Sequence, residues 1–453
     1  MILASCALDS GFHSKPMTVP AAWKNAGAFP QASPAKDLSR WWGRFGDSTL
    51  NRLISTALKD SPDISAATAR IRESRARRDS EVAGLFPAVD GGVSRNSRST
   101  DTEQAGRISG TSYSAGLDAS WEVDLFGRRR STIQAAAANL GAAEENLNSV
   151  HASLAAEIAT TYTSLRANEA RLVVLHQNVT TREQTAQLAS WRQQAGEADT
   201  LESNQAQSSL ESARAAIPSL EQAISQDRNQ LALLSGREPG ALDTMLASGK
   251  GIPNPPDSLA IGIPADALRQ RPDVRLAGYQ VLAAAANTRA ADAARYPSLN
   301  LSGSLGLDTI HARDFLDPET AAANFATNLT SPIFDAGRIR ANIEAASAVE
   351  QQAIDQYRVT VLTALSEAEN ALIACRRTAE RLATLEKATR LAREADQLAR
   401  QRYEAGEIDF LDVLDSQRTL LSLEDNLLST RTDRTTAYIR LYQALGGGWP
   451  TSP

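Results

Sequence analysis

The chain has 453 residues, 42% hydrophobic but only 5% aromatic, with 47 Lys and Arg against 53 Asp and Glu for a net charge of −6. That length allows two or three domains. The Ala-, Leu-, Gln-, Glu- and Arg-rich composition points to long packed helices rather than an enzyme core, and the negative charge argues against nucleic acid as a partner. No apolar run reaches the ~18 residues a transmembrane helix needs, so any membrane-spanning part has to be a β-barrel.

Two cysteines make no disulfide framework. Cys6 follows Leu3-Ala4-Ser5, a four-residue match to the bacterial lipobox that precedes a lipidated cysteine; the competing reading is an accidental Ser-Cys near a terminus. The basic and long apolar stretches of a signal peptide are not seen before it. Residues 1–40 read as an N-terminal tether, with Lys15-Pro16, Val19-Pro20, Phe29-Pro30 and Ser33-Pro34 keeping it extended. Trp41, Trp42 and Phe45 then announce ordered structure.

From Ser48 to Gly84 the apolar residues Leu50, Leu53, Ile54, Ala57, Leu58, Ile64, Ala67 and Ile71 recur at helical spacing. Pro62 interrupts them, as the first residue of a second helix after Ser61 as its cap. The period then changes to two. Tyr113, Ala115, Leu117, Ala119 and Trp121 alternate with polar or small residues, the mark of a strand with two unlike faces, and Ala88 to Ser97 is its weaker partner. A polar connection is expected over 98–110. A long helix without proline follows from Ser131 to Ala195, stopped by Gly196, and a helix returns over 200–235. Residues 241–261, with Pro253, Pro255 and Pro256, read as an irregular linker.

The pattern then starts again. Pro62-Asp63-Ile64 recurs as Pro272-Asp273-Val274, 210 positions on, and the same shift carries Phe86-Pro87 to Tyr296-Pro297, Gly127-Arg128 to Gly337-Arg338, Ala195-Gly196-Glu197 to Ala405-Gly406-Glu407 and Gly236 to Gly446. One shift serving so many turn residues means two copies of one structural unit. The first repeat is 41–240 and the second 262–448, followed by a tail at 449–453. The second copy has a helix over 262–295, strands around Leu299 to Leu307 and Phe325 to Ile333 with a polar connection at 308–321, a long helix from Ile339 to Ala405, and a return over 409–445. A 65-residue helix spans on the order of 100 Å, longer than a compact domain. The other helices are about half as long, so a cylinder wall of long helices beside stacked half-helices is expected. Pro218 has no counterpart, because Leu428 takes its place; a kink is expected in the first return helix alone.

Four strands do not close a barrel, and open strand edges in lipid leave backbone groups without partners. Strands of about ten residues have the length a tilted strand needs to cross a bilayer. Several chains must therefore share one barrel, eight strands for a dimer or twelve for a trimer. Trp121, Tyr113 and Phe325 either anchor that barrel at the lipid interface or simply pack. His13, His151, His176 and His311 show no metal spacing, and no phosphate loop, nucleophile elbow or Cys/His cluster is present, so no enzyme activity, cofactor or metal is expected. Past the second long helix, Asp409, Asp412 and Asp415 crowd the start of the return. Without further information they read as an acidic helix N-terminus offsetting the macrodipole.

Several segments together resemble the TolC-type outer-membrane factor family, in its lipoprotein branch serving drug efflux of the resistance-nodulation-division type. They are Trp41-Trp42 with Phe45, Asp47 and Leu50; Leu268-Arg269-Gln270-Arg271-Pro272-Asp273-Val274; Tyr296-Pro297-Ser298-Leu299; Phe334-Asp335-Ala336-Gly337-Arg338; and Arg402-Tyr403 with Ala405-Gly406 and Leu411-Asp412-Val413-Leu414-Asp415-Ser416-Gln417. The match covers about 40–448. It implies a mainly α fold with membrane β-hairpins, in which a homotrimer shares a twelve-stranded β-barrel in outer-membrane lipid above a long-helix α-barrel in the periplasm. It implies passive export of drugs or other small solutes, with a periplasmic adaptor and an inner-membrane pump as partners. By the same resemblance Asp412 and Asp415, with Asp409 and Glu202 (the repeat equivalent of Asp412), line a constricted entrance as stacked carboxylate rings. Arg192, Ala195, Gly196, Arg402, Tyr403 and Gly406 form tips on which the adaptor docks, and Cys6 is lipidated. Some relatives carry a basic residue two after the second glycine that ties neighbouring helices; Ile408 stands there instead. A periplasmic coiled-coil scaffold without a pore, or a type I protein-secretion conduit, remains the alternative.

Overall fold

A computed structural model describes residues 20–25, 38–102, 106–249, 251–256, 264–314 and 317–449. Cys6 and the rest of the tether up to residue 19 lie outside the described residues. In chain order the helices are α1 (Ser48–Asp60), α2 (Pro62–Ala83), α3 (Arg128–Gln194), α4 (Thr200–Leu234), α5 (Asp243–Leu246), α6 (Pro264–Gln270), α7 (Pro272–Ala293), α8 (Arg338–Glu404) and α9 (Phe410–Ala444). The strands are β1 (Ala88–Thr102), β2 (Gly106–Val123), β3 (Ser298–Thr309) and β4 (Ala321–Thr330). The two long helices have 67 residues each and the two returns 35 each, so the duplication is preserved to the residue.

Two compact units are present, and each draws on both repeats. Taking the described residues alone, the first comprises those within 69–144 and 276–358, the second those within 17–68, 145–275 and 359–453. The division does not follow the sequence repeat, because α3 and α8 each contribute to both units.

The first unit holds one antiparallel sheet in the order β1-β2-β3-β4. Opposed residues in an antiparallel pair share a face, so the register decides what each face is made of. Val93 lies opposite Ala115, Ala115 opposite Leu307, and Leu307 opposite Ala321; Val123 lies opposite Leu299 and Leu299 opposite Leu329. One face therefore carries Val89, Val93, Leu117, Trp121, Leu301, Leu305, Phe325 and Leu329. The other carries Asp90, Ser94, Ser114, Asp118, Ser120, Asn300, Ser302, Ser304 and Asn324. The apolar side chains Val93, Leu117, Leu305 and Phe325 are more than half exposed in the protomer, which is how a sheet reads when lipid is the solvent on that side.

The structure corrects the sequence reading at the first hairpin. The expected connection at 98–110 is strand except at its middle: pairing continues from Arg98 opposite Gly110 to Thr102 opposite Gly106. Hydrogen bonds between Ser97 and Thr111 (3.3 Å) and from Arg107 to Ser99 (3.0 Å) tie this outer part. Both of its faces are polar, so the period-two signal vanishes although the ladder continues. The second hairpin does break where expected, with short 3-10 turns at Ala312–Asp314 and Pro318–Thr320. Ile333, expected in the fourth strand, lies beyond its end at Thr330.

The larger apolar core of the second unit lies around Trp41 and Tyr442. A 3-10 turn, Trp41–Phe45, presents Trp41, Trp42 and Phe45 to it, with Trp41 stacked on Tyr442 at 5.7 Å. Leu53 and Ile54 of α1, Ile158, Tyr162 and Leu165 of α3, Leu231 of α4, Leu372 and Cys375 of α8, and Leu441 of α9 complete it. The linker joins this core instead of being irregular throughout. It forms α5, buries Leu242 and Leu246, and offers the Leu246 carbonyl to the Arg166 guanidinium. Asp47 caps α1 by accepting from the Thr49 and Leu50 amides and also accepts from the Tyr162 hydroxyl. Ser61 receives the Asp63 amide at 3.3 Å, so Pro62 does open α2 behind a serine cap.

Gly236 and Gly446 show why the repeat is invariant at its turns. Both have positive φ, 66° and 80°. A β-carbon on Gly236 would lie 2.7 Å from the Asp60 carbonyl oxygen, and one on Gly446 2.9 Å from the Gln270 backbone. In each copy the end of the return helix thus passes against the residues preceding the conserved proline, and only glycine fits.

Candidate functional site

The candidate site lies at the two turns that close the long helices, all within the second unit. Gly196 and Gly406 take φ of 77° and 75°. The amide of Glu197 reaches back to the Arg192 carbonyl and that of Glu407 to the Arg402 carbonyl, both at 2.8 Å. These are matched Schellman ends, which satisfy carbonyls the helix leaves unpaired. Below them α3, α4, α8 and α9 share a second small core: Val179, Ala186, Ala189, Ala206, Leu210, Ala213, Tyr403, Phe410, Val413 and Leu414, with Ile408 packed against it.

The side chains of the two turns then part company. In the first, Asp199 caps α4 by accepting the Glu202 amide at 2.9 Å. Glu202 accepts a hydrogen bond from the Tyr403 hydroxyl, and the Arg192 guanidinium lies 3.9 Å from the Glu202 carboxylate and 4.8 Å from the centre of the Tyr403 ring. In the second, Asp409 has the extended backbone of a cap (φ −82°, ψ 158°) but its side chain caps nothing. Asp412 and Asp415 are exposed in the protomer, one helical turn apart at the head of α9.

Glu202, the repeat partner of Asp412, is held between Arg192 and Tyr403. One expectation is corrected here. Tyr403, expected on a docking surface, is only 1% exposed and offers little to a partner. Burial, and then the neighbouring Glu202 carboxylate, push its hydroxyl up to about 12, with Arg192 opposing. Ala195, Gly196, Arg402 and Gly406 do lie exposed at the turns, and Arg402 makes only a loose ion pair with Glu407 at 3.9 Å. Ile408 packs against the small core, and Arg192 of the first copy lies beside Glu202 and the Tyr403 ring. Sequence reading missed this cluster because its members lie 201 residues apart in Glu202 and Tyr403; the lone aromatic ring in the otherwise charged and polar last turn Arg400-Gln401-Arg402-Tyr403-Glu404 was the available signal.

Two further polar contacts lie deeper in the same helices. Gln417 donates to the Thr185 hydroxyl at 3.2 Å, and Asp396, 3% exposed, accepts from Arg400 at 3.1 Å. Pro218 lies inside an unbroken α4. Beside it a cavity of about 570 Å³ opens between α3, α4 and α9, lined by Leu175, Ala216, Leu220, Leu421 and Leu428 with Arg418 at its wall. Among the described residues no group of His, Cys, Asp or Glu is arranged to hold a metal ion, and no helix is long and apolar enough to cross a membrane.

Comparison with known proteins places this architecture. The family model for outer membrane efflux proteins matches twice, at residues 53–237 and 263–447. The pyoverdine export outer membrane protein OpmQ of Pseudomonas aeruginosa is 33% identical over 468 aligned positions, covering 99% of this chain and 95% of that one. The toluene efflux pump outer membrane protein TtgF of Pseudomonas putida is 30% identical, with 99% and 95% covered. Among solved structures, the outer-membrane channel OprN superposes with a TM-score of 0.89 at 31% identity over 97% of this chain and 98% of that one. The open-state MtrE outer membrane channel of Neisseria gonorrhoeae gives 0.86 at 29% identity, with 97% of each chain covered. With a duplicated match that spans both repeats and relatives aligned nearly end to end, the chain belongs to the outer membrane efflux protein family.

Proposed function

We propose that this protein is the outer-membrane duct of a tripartite efflux system, a homotrimer through which small toxic solutes pass passively after an inner-membrane pump and a periplasmic adaptor deliver them. The observation that carries the reading is the sheet. It has one apolar and one polar face, two unpaired edges, and strands rooted in helices of 67 residues. Three copies give twelve strands, the apolar face toward lipid and the polar face toward an aqueous bore. A scaffold without a pore has no use for such a sheet.

In this reading the tips form the entrance. Asp412 and Asp415, with Asp409 beside them, face the bore as carboxylate rings that draw cations toward it. Tyr403, Glu202 and Arg192 form the clasp that ties the end of α8 to the start of α4, and its release lets the α8–α9 hairpin move outward. The exposed turns at Ala195, Gly196, Arg402 and Gly406 meet the adaptor. Relatives are named for pyoverdine and for toluene, so the cargo of this chain is set by its pump. Cys6 carries the lipid anchor; palmitate labelling that survives in Cys6→Ser would remove that assignment.

The test is electron microscopy of the protein extracted from outer membranes in detergent. Three-fold tubes with a barrel at one end are expected. Monomers that stay soluble without detergent would overturn the duct and favour the scaffold.

A further inference from the structure

The sheet leaves β1 and β4 as open edges, and the internal repeat says what should cover them. Shifting the observed pair Ala88 and Ser120 by 210 positions gives Ser298 and Thr330, which is the pair observed in the second hairpin. The hairpins are copies in register as well as in sequence. The β2–β3 contact joins the end of one repeat's hairpin to the start of the next, and nothing inside the chain repeats it. Its equivalent is β4 of one copy against β1 of another.

Copied without change, the pair Leu117 and Leu305 of that contact would become Thr327 opposite Arg95 of the neighbouring copy. A second observation shifts this. Where β2 and β3 meet the helices, Phe126 stacks on Tyr296 with centroids 4.9 Å apart and planes 15° from parallel. Phe86 is the repeat equivalent of Tyr296, but Ala336 stands at the equivalent of Phe126, and the ring at this end of β4 is Phe334. Phe86 and Phe334 are 66% and 90% exposed. Sliding the copied register by two residues puts these rings opposite one another and keeps every apolar side chain on the lipid face, since a two-residue slide preserves the side-chain alternation. Thr327 then faces Val93, Leu329 faces Gly91, and Phe325 faces Arg95, whose guanidinium already lies over the Tyr113 ring at 5.7 Å.

Closure selects the same register. The row Gly92, Gly116, Gly306, Ala322 meets Arg98 of the next copy in the slid register and Thr100 in the unmodified copy. Over three copies the advance is about 18 or about 24 residues, which at ~3.3 Å rise and ~4.8 Å spacing tilts the strands by roughly 46° or roughly 54°. Barrels favour about 35–45°.

We infer that β4 pairs antiparallel with β1 of the adjacent copy in the register that sets Thr327 opposite Val93, clasped at its helix end by Phe334 on Phe86. This rests on the trimeric reading above. The test is disulfide trapping in the full-length protein in outer membranes, with two competing pairs: Val93→Cys with Thr327→Cys, and Val93→Cys with Leu329→Cys. The opposite face is covered by Ser94→Cys with Ala326→Cys against Ser94→Cys with Asn328→Cys. Single-cysteine forms control for folding. A slide of two residues moves partners ~6.6 Å along the strand, beyond disulfide reach. Within one chain β1 and β4 are three strand spacings, ~14 Å, apart, so any bridge is between copies.

The expected result is reductant-sensitive trimers from the Thr327 or Ala326 pair, at least fivefold above the Leu329 or Asn328 pair. Predominant trapping through Leu329 or Asn328 would overturn the register. So would no trapping by any pair in protein that native mass spectrometry shows to be a trimer. A parent protein that is not a trimer would instead overturn the proposed function itself.

Discussion

The two tip turns share one backbone and differ in almost every side-chain role. Both end a 67-residue helix on a left-handed glycine with the same 2.8 Å return hydrogen bond. Around the first, the acids are used up: Asp199 caps its helix and Glu202 is held by Tyr403 and Arg192. Around the second, Asp409 caps nothing and Asp412 and Asp415 face out. Duplication preserved what the chain needs in order to turn, while the acids of one turn are held by partners and those of the other stay exposed.

The comparison breaks most visibly at the contact of Tyr403 with Glu202. Tyr403→Phe removes a largely buried hydrogen bond to a charged group, worth about 1.5–3 kcal/mol, and Glu202→Gln keeps an acceptor but weakens the bond by removing the charge. Single-channel recording in planar bilayers is expected to show roughly tenfold more open time, and cells carrying the variant should become leaky to large antibiotics. Unchanged gating in both variants would mean the cluster is structural only.

The exposed acids come next. Asp412→Asn with Asp415→Asn is expected to lower cation-over-anion permeability severalfold, read from the reversal potential in a salt gradient, while the trimer stays intact. The same change at Glu202 alone should alter open time more than ion preference, and a reversed pattern would exchange the roles of the two turns.

Alkaline pH sharpens the contrast further. The Tyr403 hydroxyl titrates at about 12 in the fold, against ~10 when unfolded. The folded state therefore holds its proton more tightly, and this contribution is complete below pH ~10 and lost as pH rises through 12. Protection of amides at the α3–α4 turn, taken relative to the intrinsic base-catalysed exchange rate, should fall over that interval in the parent and stay flat in Tyr403→Phe. Tyr162, also raised to about 12 chiefly by burial, contributes to both proteins equally.

The smallest effect separates the caps. Asp199→Ala should destabilise its turn by ~1 kcal/mol, seen as faster local exchange, whereas Asp409→Ala should change local exchange little. Equal effects would show that Asp409 does cap its helix in the assembled protein.

Much of this was legible without coordinates, for identifiable reasons. The repeat fixed both αL glycines and all four long or returning helices to within a few residues, because turn residues and apolar spacing are local signals. The outer part of the first hairpin was not legible, since Ser97, Ser99, Arg107 and Thr111 on one face and Arg98 on the other leave no alternation to read. The burial of Leu242 and Leu246 was hidden by the prolines around them. The grip of Tyr403 on Glu202 was invisible for a different reason: Glu202 and Asp412 are equivalent by repeat, and only packing between the two copies tells them apart.

The open edges of β1 and β4 also bear on how the molecule comes into being. The last hydrogen bonds of each sheet belong to another polypeptide, so a single chain has no finished native state of its own to reach in water. Folding of the sheet and encounter between copies are then one kinetic event, whose rate rises with protein concentration and whose completion needs a bilayer to receive the apolar face. Until that moment the hairpins are exposed strand edges of the kind that aggregate, and the cell must deliver the chain to its membrane before the sheet can close.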